Sequence, residues 1–97
     1  MHASVRKYKL DPSQMDEVSR RVADSFVRRV SEVSGFVGYY LVDVGNGILI
    51  SVTLGNDPDA VEQSADIAAE FVRDELSDLE IERVEAAHGE VTVSETA

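Results

Sequence analysis

The chain has 97 residues and 43% hydrophobic content, which predicts one globular domain over residues 1–97 and leaves too little chain for two separate cores. It has no cysteine, which excludes disulfides and thiolate chemistry, and its net charge of −10 argues against nucleic-acid binding, which requires a basic surface. Because the sequence has neither a membrane-spanning apolar run nor a signal peptide, we expect a cytoplasmic protein with no membrane partner.

A strand and a helix open the chain. Residues 3–10 place Val, Tyr and Leu among basic side chains, which is typical of a strand. Asp11 then supplies a helix cap, and Pro12 suits the first helical position. The apolar residues that follow recur at spacings of three and four and predict one buried stripe: Met15, Val18, Val22, Phe26, Val30 and Val33.

A β-hairpin is predicted around Gly45-Asn46-Gly47, because Asn-Gly tolerates the positive φ angles of a tight turn. Either two-residue turn that fits here gives the same division of side chains between the faces of the sheet. One face carries Val37, Tyr39, Leu41, Asp43, Ile48, Ile50, Val52 and Leu54, and the other carries Phe36, Gly38, Tyr40, Val42, Val44, Leu49, Ser51 and Thr53. Both sets are largely apolar, so we expect both faces to be covered.

The last third of the chain repeats the helix-opening signal. Asp57-Pro58 predicts a second helix that runs to about Leu76. Residues 79–84 then alternate as a strand, and the alternation slips at Arg83-Val84, which indicates a bulge. We expect a turn at His88-Gly89, a short final segment over residues 90–94, and frayed residues 95–97.

The order strand–helix–strand–strand–helix–strand predicts a ferredoxin-like α+β fold. Right-handed crossovers would give a four-stranded antiparallel sheet, ordered 4-1-3-2, with both helices on one face. The other face would stay bare, and a contiguous apolar face of this kind marks an interface. We therefore expect a homodimer in which the sheets meet through Phe36, Tyr40, Val42 and Leu49.

Charge is distributed unevenly along the chain. Residues 1–34 hold seven basic and five acidic groups, whereas residues 35–97 hold two basic and fourteen acidic groups. The order 4-1-3-2 places the basic first strand beside the acidic fourth. We therefore expect cross-strand ion pairs between the cations Arg6, Lys7 and Lys9 and the acids Glu80, Glu82 and Glu85.

Several segments together resemble the antibiotic-biosynthesis-monooxygenase-like superfamily of dimeric α/β-barrel proteins: Ser34-Gly35-Phe36-Val37-Gly38-Tyr39-Tyr40, the strand over 48–54, the helix after it, and Gly89-Glu90-Val91. The resemblance covers nearly the whole chain and implies a ferredoxin-like subunit whose sheet packs on its partner's. It also implies a pocket between sheet and helices for small, often aromatic ligands. Some members oxygenate quinol-type substrates without metal or flavin, some degrade haem, and many have no established activity.

The chain departs from the catalytic members of that superfamily. It has no tryptophan, so Leu54 or its neighbour stands where the third strand commonly ends in one. Gln63 or Ser64 stands where the second helix often carries a histidine, and the first strand has no asparagine. We therefore expect no haem degradation by that residue set, and we predict neither a cofactor nor a metal site.

A pocket between sheet and helices would be lined mainly by apolar side chains. The candidates are Tyr8, Val22, Phe26, Tyr39, Leu41, Ile50, Val52 and Phe71. Tyr39 would be the main polar group, which suits a flat, weakly polar ligand. Two functions stay open: binding or cofactor-independent oxygenation of a small apolar or aromatic molecule, which requires an internal cavity, and a non-catalytic dimeric accessory module, which requires a filled core.

Overall fold

The structure is a computed structural model that describes residues 1–97. Four strands form one antiparallel sheet: β1 (His2–Leu10), β2 (Phe36–Gly45), β3 (Ile48–Gly55) and β4 (Ile81–Glu90). Their order is β2-β3-β1-β4, and the apolar stripes of both helices pack on one face of the sheet. The predicted ferredoxin-like fold and strand order are therefore confirmed.

Both helices begin at the predicted Asp-Pro pairs. The first helix covers residues 12–30 and consists of a 3-10 turn (Pro12–Gln14), α-helical segments (Met15–Arg21 and Val27–Val30) and a π-helical turn between these segments (Val22–Phe26). The second helix covers Pro58–Glu75, and the carboxylate of Asp57 accepts a 2.9 Å hydrogen bond from the backbone N–H of Ala60. Neither helix is long and apolar enough to cross a bilayer.

The π-helical turn keeps the apolar stripe of the first helix on one side. Val18, Val22, Phe26 and Val30 are spaced by four, and in an α-helix of 3.6 residues per turn each such step rotates by about 40°. The wider π turn reduces this drift. All four side chains are consequently buried.

The register of the hairpin differs from the predicted one. Asn46 and Gly47 form the turn with φ angles of 56° and 77°, and Gly45 pairs with Ile48. Val44 is then an extra residue, because the next pair in the ladder joins Asp43 to Leu49. This β-bulge shifts β3 by one residue against β2, so the side chains of β3 exchange faces relative to the prediction.

Two register shifts between β2 and β3 correct four predicted positions. Leu49 is 2% exposed and lies in the core, not at an interface. Phe36 also packs against the core, because a second register shift at Val37 turns it toward the helices. Ile50 and Val52 lie on the outer face of the sheet, opposite Val42 and Tyr40 respectively, and cannot line a pocket under the helices.

β4 is longer than predicted, since it runs from Ile81 to Glu90. The bulge expected at Arg83-Val84 is confirmed, since Val84 has no partner on β1 while both of its neighbours do. The turn expected at His88-Gly89 is wrong, because both residues pair with the start of β1 and the strand ends only at Glu90. β1 begins at His2 and so offers ladder partners to this whole segment.

The ion pairs expected between β1 and β4 are absent. Lys7 lies opposite Glu85 in the ladder, but no cation of β1 comes within 4.0 Å of a carboxylate. Such exposed pairs contribute little, so the ladder does not depend on them. The basic first helix instead contacts the acidic loop that follows the second helix, where Arg21 lies 2.7 Å from a carboxylate oxygen of Asp78.

Candidate functional site

A small cavity lies between the two helices and the sheet. Its volume is about 30 Å³. That is enough for a water molecule but far below the roughly 300–1,000 Å³ of typical ligand pockets. Ten of the eleven lining residues are hydrophobic, and the polar one is Ser51.

Most of the predicted pocket residues surround this cavity. Those that line it are Tyr8, Val22, Phe26, Tyr39, Leu41 and Phe71. Ile50 and Val52 do not, because the bulge at Val44 places them on the outer face, and Leu49 and Ser51 take their positions. His88 is exposed on the edge strand and does not line the cavity.

Three aromatic rings form one wall of the cavity. The ring centroids of Phe26 and Tyr39 lie 5.0 Å apart at an interplanar angle of 58°, and those of Phe26 and Phe71 lie 5.6 Å apart at 62°. Tilted contacts of this kind are favourable because ring edges meet ring faces. Phe26 connects the other two rings and belongs to the π-helical turn, so this wall depends on the conformation of that turn.

Arg6 is a buried cation close to this cavity, whereas the sequence predicts it in an ion pair with β4 and not at a site. It shares one face of β1 with Ser4 and Tyr8, faces the helices and is 0% exposed. Its Nη1 donates to Oγ of Ser4 at 2.7 Å, and its Nη2 donates to Ser51 Oγ at 2.9 Å and Thr53 Oγ1 at 3.1 Å. Its Nε has no hydrogen-bond partner, and no carboxylate lies within 4.0 Å.

Ser51 connects this cation to the cavity. Its Oγ accepts a hydrogen bond from Arg6 and lies 2.8 Å from the hydroxyl of Tyr39. Burial raises the pKa of the Tyr39 phenol, while the Ser51 hydrogen bond and the charge of Arg6 partly oppose that rise. Tyr39 is therefore a neutral phenol at neutral pH and can donate or accept a hydrogen bond.

One signal in the sequence could have revealed Arg6. Ser4, Arg6 and Tyr8 alternate with Val5 and Lys7, so Arg6 shares a face with a tyrosine that was assigned to the pocket. Two hydroxyl residues on β3, Ser51 and Thr53, are the natural neutral partners of a buried guanidinium. The sequence pattern places both on the outer face, because it does not reveal the bulge at Val44.

Comparison with known proteins identifies the fold. No protein-family model matches the chain, and no curated protein matches it in sequence. A dimeric ferredoxin-like protein from an uncultured marine organism has a TM-score of 0.77 and 11% identity over 99% of this chain and 98% of that one. The monooxygenase from the gene ActVA-Orf6 of Streptomyces coelicolor, solved with Nanaomycin D, has a TM-score of 0.73 and 16% identity over 99% and 91%.

A third match is a variant of MhuD with two manganese protoporphyrin IX molecules bound per active site. It has a TM-score of 0.77 and 16% identity, and the alignment covers 100% of both chains. This chain therefore has the same fold as these three proteins. The resemblance predicted from the sequence is thereby confirmed for the fold.

Proposed function

We propose that the chain is a homodimeric protein of this monooxygenase-like type that binds a small, flat aromatic molecule between its helices and sheet. The observation that carries the proposal is the buried polar chain Arg6–Ser51–Tyr39, which ends at a cavity walled by aromatic rings. Buried polar groups cost free energy unless they are fully hydrogen-bonded. A fold that needs only a filled core gains nothing from a partly unpaired cation at this place.

A flat aromatic ligand is larger than the cavity of about 30 Å³, so binding has to enlarge the cavity. The first helix is the element we expect to move, because its π-helical turn (Val22–Phe26) carries part of the cavity wall. The ion pairs that join it to the second helix and the loop beyond, such as Arg21–Asp78 and Arg29–Glu70, are partly exposed. Pairs of this kind contribute little to stability, so they would not hold the helix closed.

Oxygenation without a cofactor is the candidate reaction for such a site. In that reaction O₂ gives one oxygen atom to an activated ring CH₂, which becomes a carbonyl, and the two hydrogens leave with the other oxygen atom as water. The protein would orient the substrate and exclude solvent, and Tyr39 would hydrogen-bond to a substrate oxygen. The likeness in fold to the ActVA-Orf6 monooxygenase is the reason to test this reaction.

The proposal is tested by titrating the protein with 2-naphthol and following the fluorescence of the probe. Tyr39→Phe removes one neutral hydrogen bond and should weaken binding about threefold to tenfold while leaving the fold intact. Tyr40→Phe makes the same change on the outer face of the sheet and should not alter the affinity. Oxygen uptake with a polycyclic quinol as substrate then separates an oxygenase from a binding protein.

The second candidate function is a non-catalytic dimeric accessory module. The cavity volume of about 30 Å³ favours it, because the core is nearly filled. This candidate predicts no saturable binding of 2-naphthol and no effect of Tyr39→Phe on any ligand. Saturable binding that depends on Tyr39 would contradict it.

The outer face of the sheet supports the homodimer. Tyr40 is 60% exposed, and Val5, Val42 and Val44 are also exposed on the sheet. Monomeric proteins rarely expose a contiguous apolar face of this kind. We therefore expect two sheets to pack through Tyr40, Val42 and their neighbours, with Ile50 and Val52 in place of Phe36 and Leu49.

A further inference from the structure

We propose that Arg6 recognises a ligand carboxylate, so that the molecule held between helices and sheet is an aromatic acid. The inference rests on the binding function proposed above and adds the chemical class of the ligand. It follows from the buried positive charge of Arg6, which has no acidic side chain beside it.

Arg6 donates only to neutral oxygens. Its partners are the hydroxyls of Ser4, Ser51 and Thr53, and its Nε is unpartnered although the residue is fully buried. A guanidinium stays protonated in proteins, so this site holds a full positive charge out of contact with water. An isolated buried charge is strongly unfavourable, and an anion at the same place would relieve that cost.

Neither this chain nor a second copy can supply the anion. No carboxylate of the chain lies within 4.0 Å of Arg6. A partner subunit would contact the outer face of the sheet, whereas Arg6 lies on the face covered by the helices. The remaining source is a ligand that enters from the cavity side, where Ser51 already hydrogen-bonds to Arg6.

A carboxylate matches this cation in charge and in shape. It is ionised at neutral pH and brings the single negative charge that balances one guanidinium, whereas a neutral phenol brings none. A guanidinium binds a carboxylate through two parallel N–H bonds. Here Nε is free, and the hydroxyls that Nη2 contacts can be exchanged for a charged acceptor.

The body of the ligand has to be apolar. Apart from Ser51, the cavity is lined by hydrophobic residues, and the rings of Phe26 and Phe71 stand in its wall. The carboxylate would lie at the Ser51 end, within reach of the Tyr39 hydroxyl, and an aromatic ring would lie among the other rings. This proposal departs from the expectation that Tyr39 is the main polar group of the pocket and that the ligand is weakly polar.

The test compares 2-naphthoate with its neutral amide, 2-naphthamide, on the full chain at neutral pH. We expect 2-naphthoate to bind at least about tenfold tighter, because hydrogen bonds to a charged group are the stronger ones. R6M and R6Q should both lose this preference. R6Q keeps the test available if R6M does not fold, because its amide can still hydrogen-bond to the hydroxyls. R28M should keep the preference, because Arg28 is exposed and forms no ion pair.

The other outcomes show whether the carboxylate inference fails alone or together with the proposed binding function. Equal binding of the two probes overturns the carboxylate inference and leaves the aromatic-binding function in place. A preference for 2-naphthoate that survives in R6M or R6Q also overturns it, since the charge then lies elsewhere. Binding of neither probe overturns the proposed function and the inference together.

Discussion

Arg6 is a charged residue that the fold buries completely. The residue shares the helix-facing side of β1 with Ser4 and Tyr8, and the hydroxyls of β3 supply its hydrogen bonds. Replacing a buried ion pair by apolar side chains of similar volume is often neutral or stabilising, and an unpaired buried charge is less favourable than a paired one. A buried arginine without an acid is therefore better explained by binding than by folding.

This explanation predicts how the ligand-free protein responds to Arg6→Met. The free energy of unfolding should stay the same or rise, by as much as about 1–4 kcal/mol, because an uncompensated charge is removed from the interior. Urea unfolding followed by circular dichroism measures the change, with Arg28→Met as the exposed control. A loss of several kcal/mol in Arg6→Met alone would show that the guanidinium holds the fold together and would contradict this account of the site.

Residues of the site differed in how far the sequence revealed them. Tyr39, Phe26 and Phe71 were predictable, because large apolar side chains on amphipathic elements face the core with high regularity. Arg6 was not, because charged residues are almost never fully buried unless they are paired. The alternation of β1 was visible, but the alternation alone does not state which face the helices cover.

Among the elements, the hairpin shows where sequence patterns stop being informative. The turn itself followed from Asn46-Gly47, and the helix starts followed from Asp11 and Asp57. The bulge at Val44 did not, because both faces of the hairpin are largely apolar and a slip of one residue still buries hydrophobic side chains. In the observed register Ser51 and Thr53 face the helices and accept hydrogen bonds from Arg6, a tertiary contact that the hairpin pattern does not contain.

The corrected register predicts a contrast between adjacent residues of β3. Leu49→Ala should lower the free energy of unfolding by about 2–5 kcal/mol, because Leu49 is 2% exposed in the core. Ile50→Ala should cost much less, because Ile50 lies half-buried on the outer face. Both changes are compared by urea unfolding in a Val42→Asp background, which we expect to be a single chain. A larger loss for Ile50→Ala would restore the register predicted from the sequence.

For the whole molecule, the order of elements was sufficient to predict the ferredoxin-like fold, because right-handed crossovers leave one arrangement of four strands. The size of the cavity was not predictable, because it depends on how the side chains of two helices and a sheet fill the space between them. The two faces of the sheet differ in composition and exposure. The inner face holds the polar chain and the cavity, and the outer face carries the exposed apolar surface.

The outer face can be tested by substitution. Val42→Asp should yield a folded single chain, because an unpaired carboxylate in a dry interface is strongly unfavourable. Val93→Asp places the same charge at a residue that is 86% exposed beyond β4, and it should leave the assembly unchanged. Circular dichroism checks that both variants keep their secondary structure.

The most direct measurement is the molar mass of the unmodified protein in solution by light scattering. We predict twice the chain mass of 10.6 kDa, falling to one chain mass in Val42→Asp and staying at two in Val93→Asp. The affinity of the Val42→Asp variant for 2-naphthol should match that of the unmodified protein, since the proposed binding site lies on the opposite face of the sheet. A compact single chain for the unmodified protein would contradict the assembly on which this division of the sheet rests.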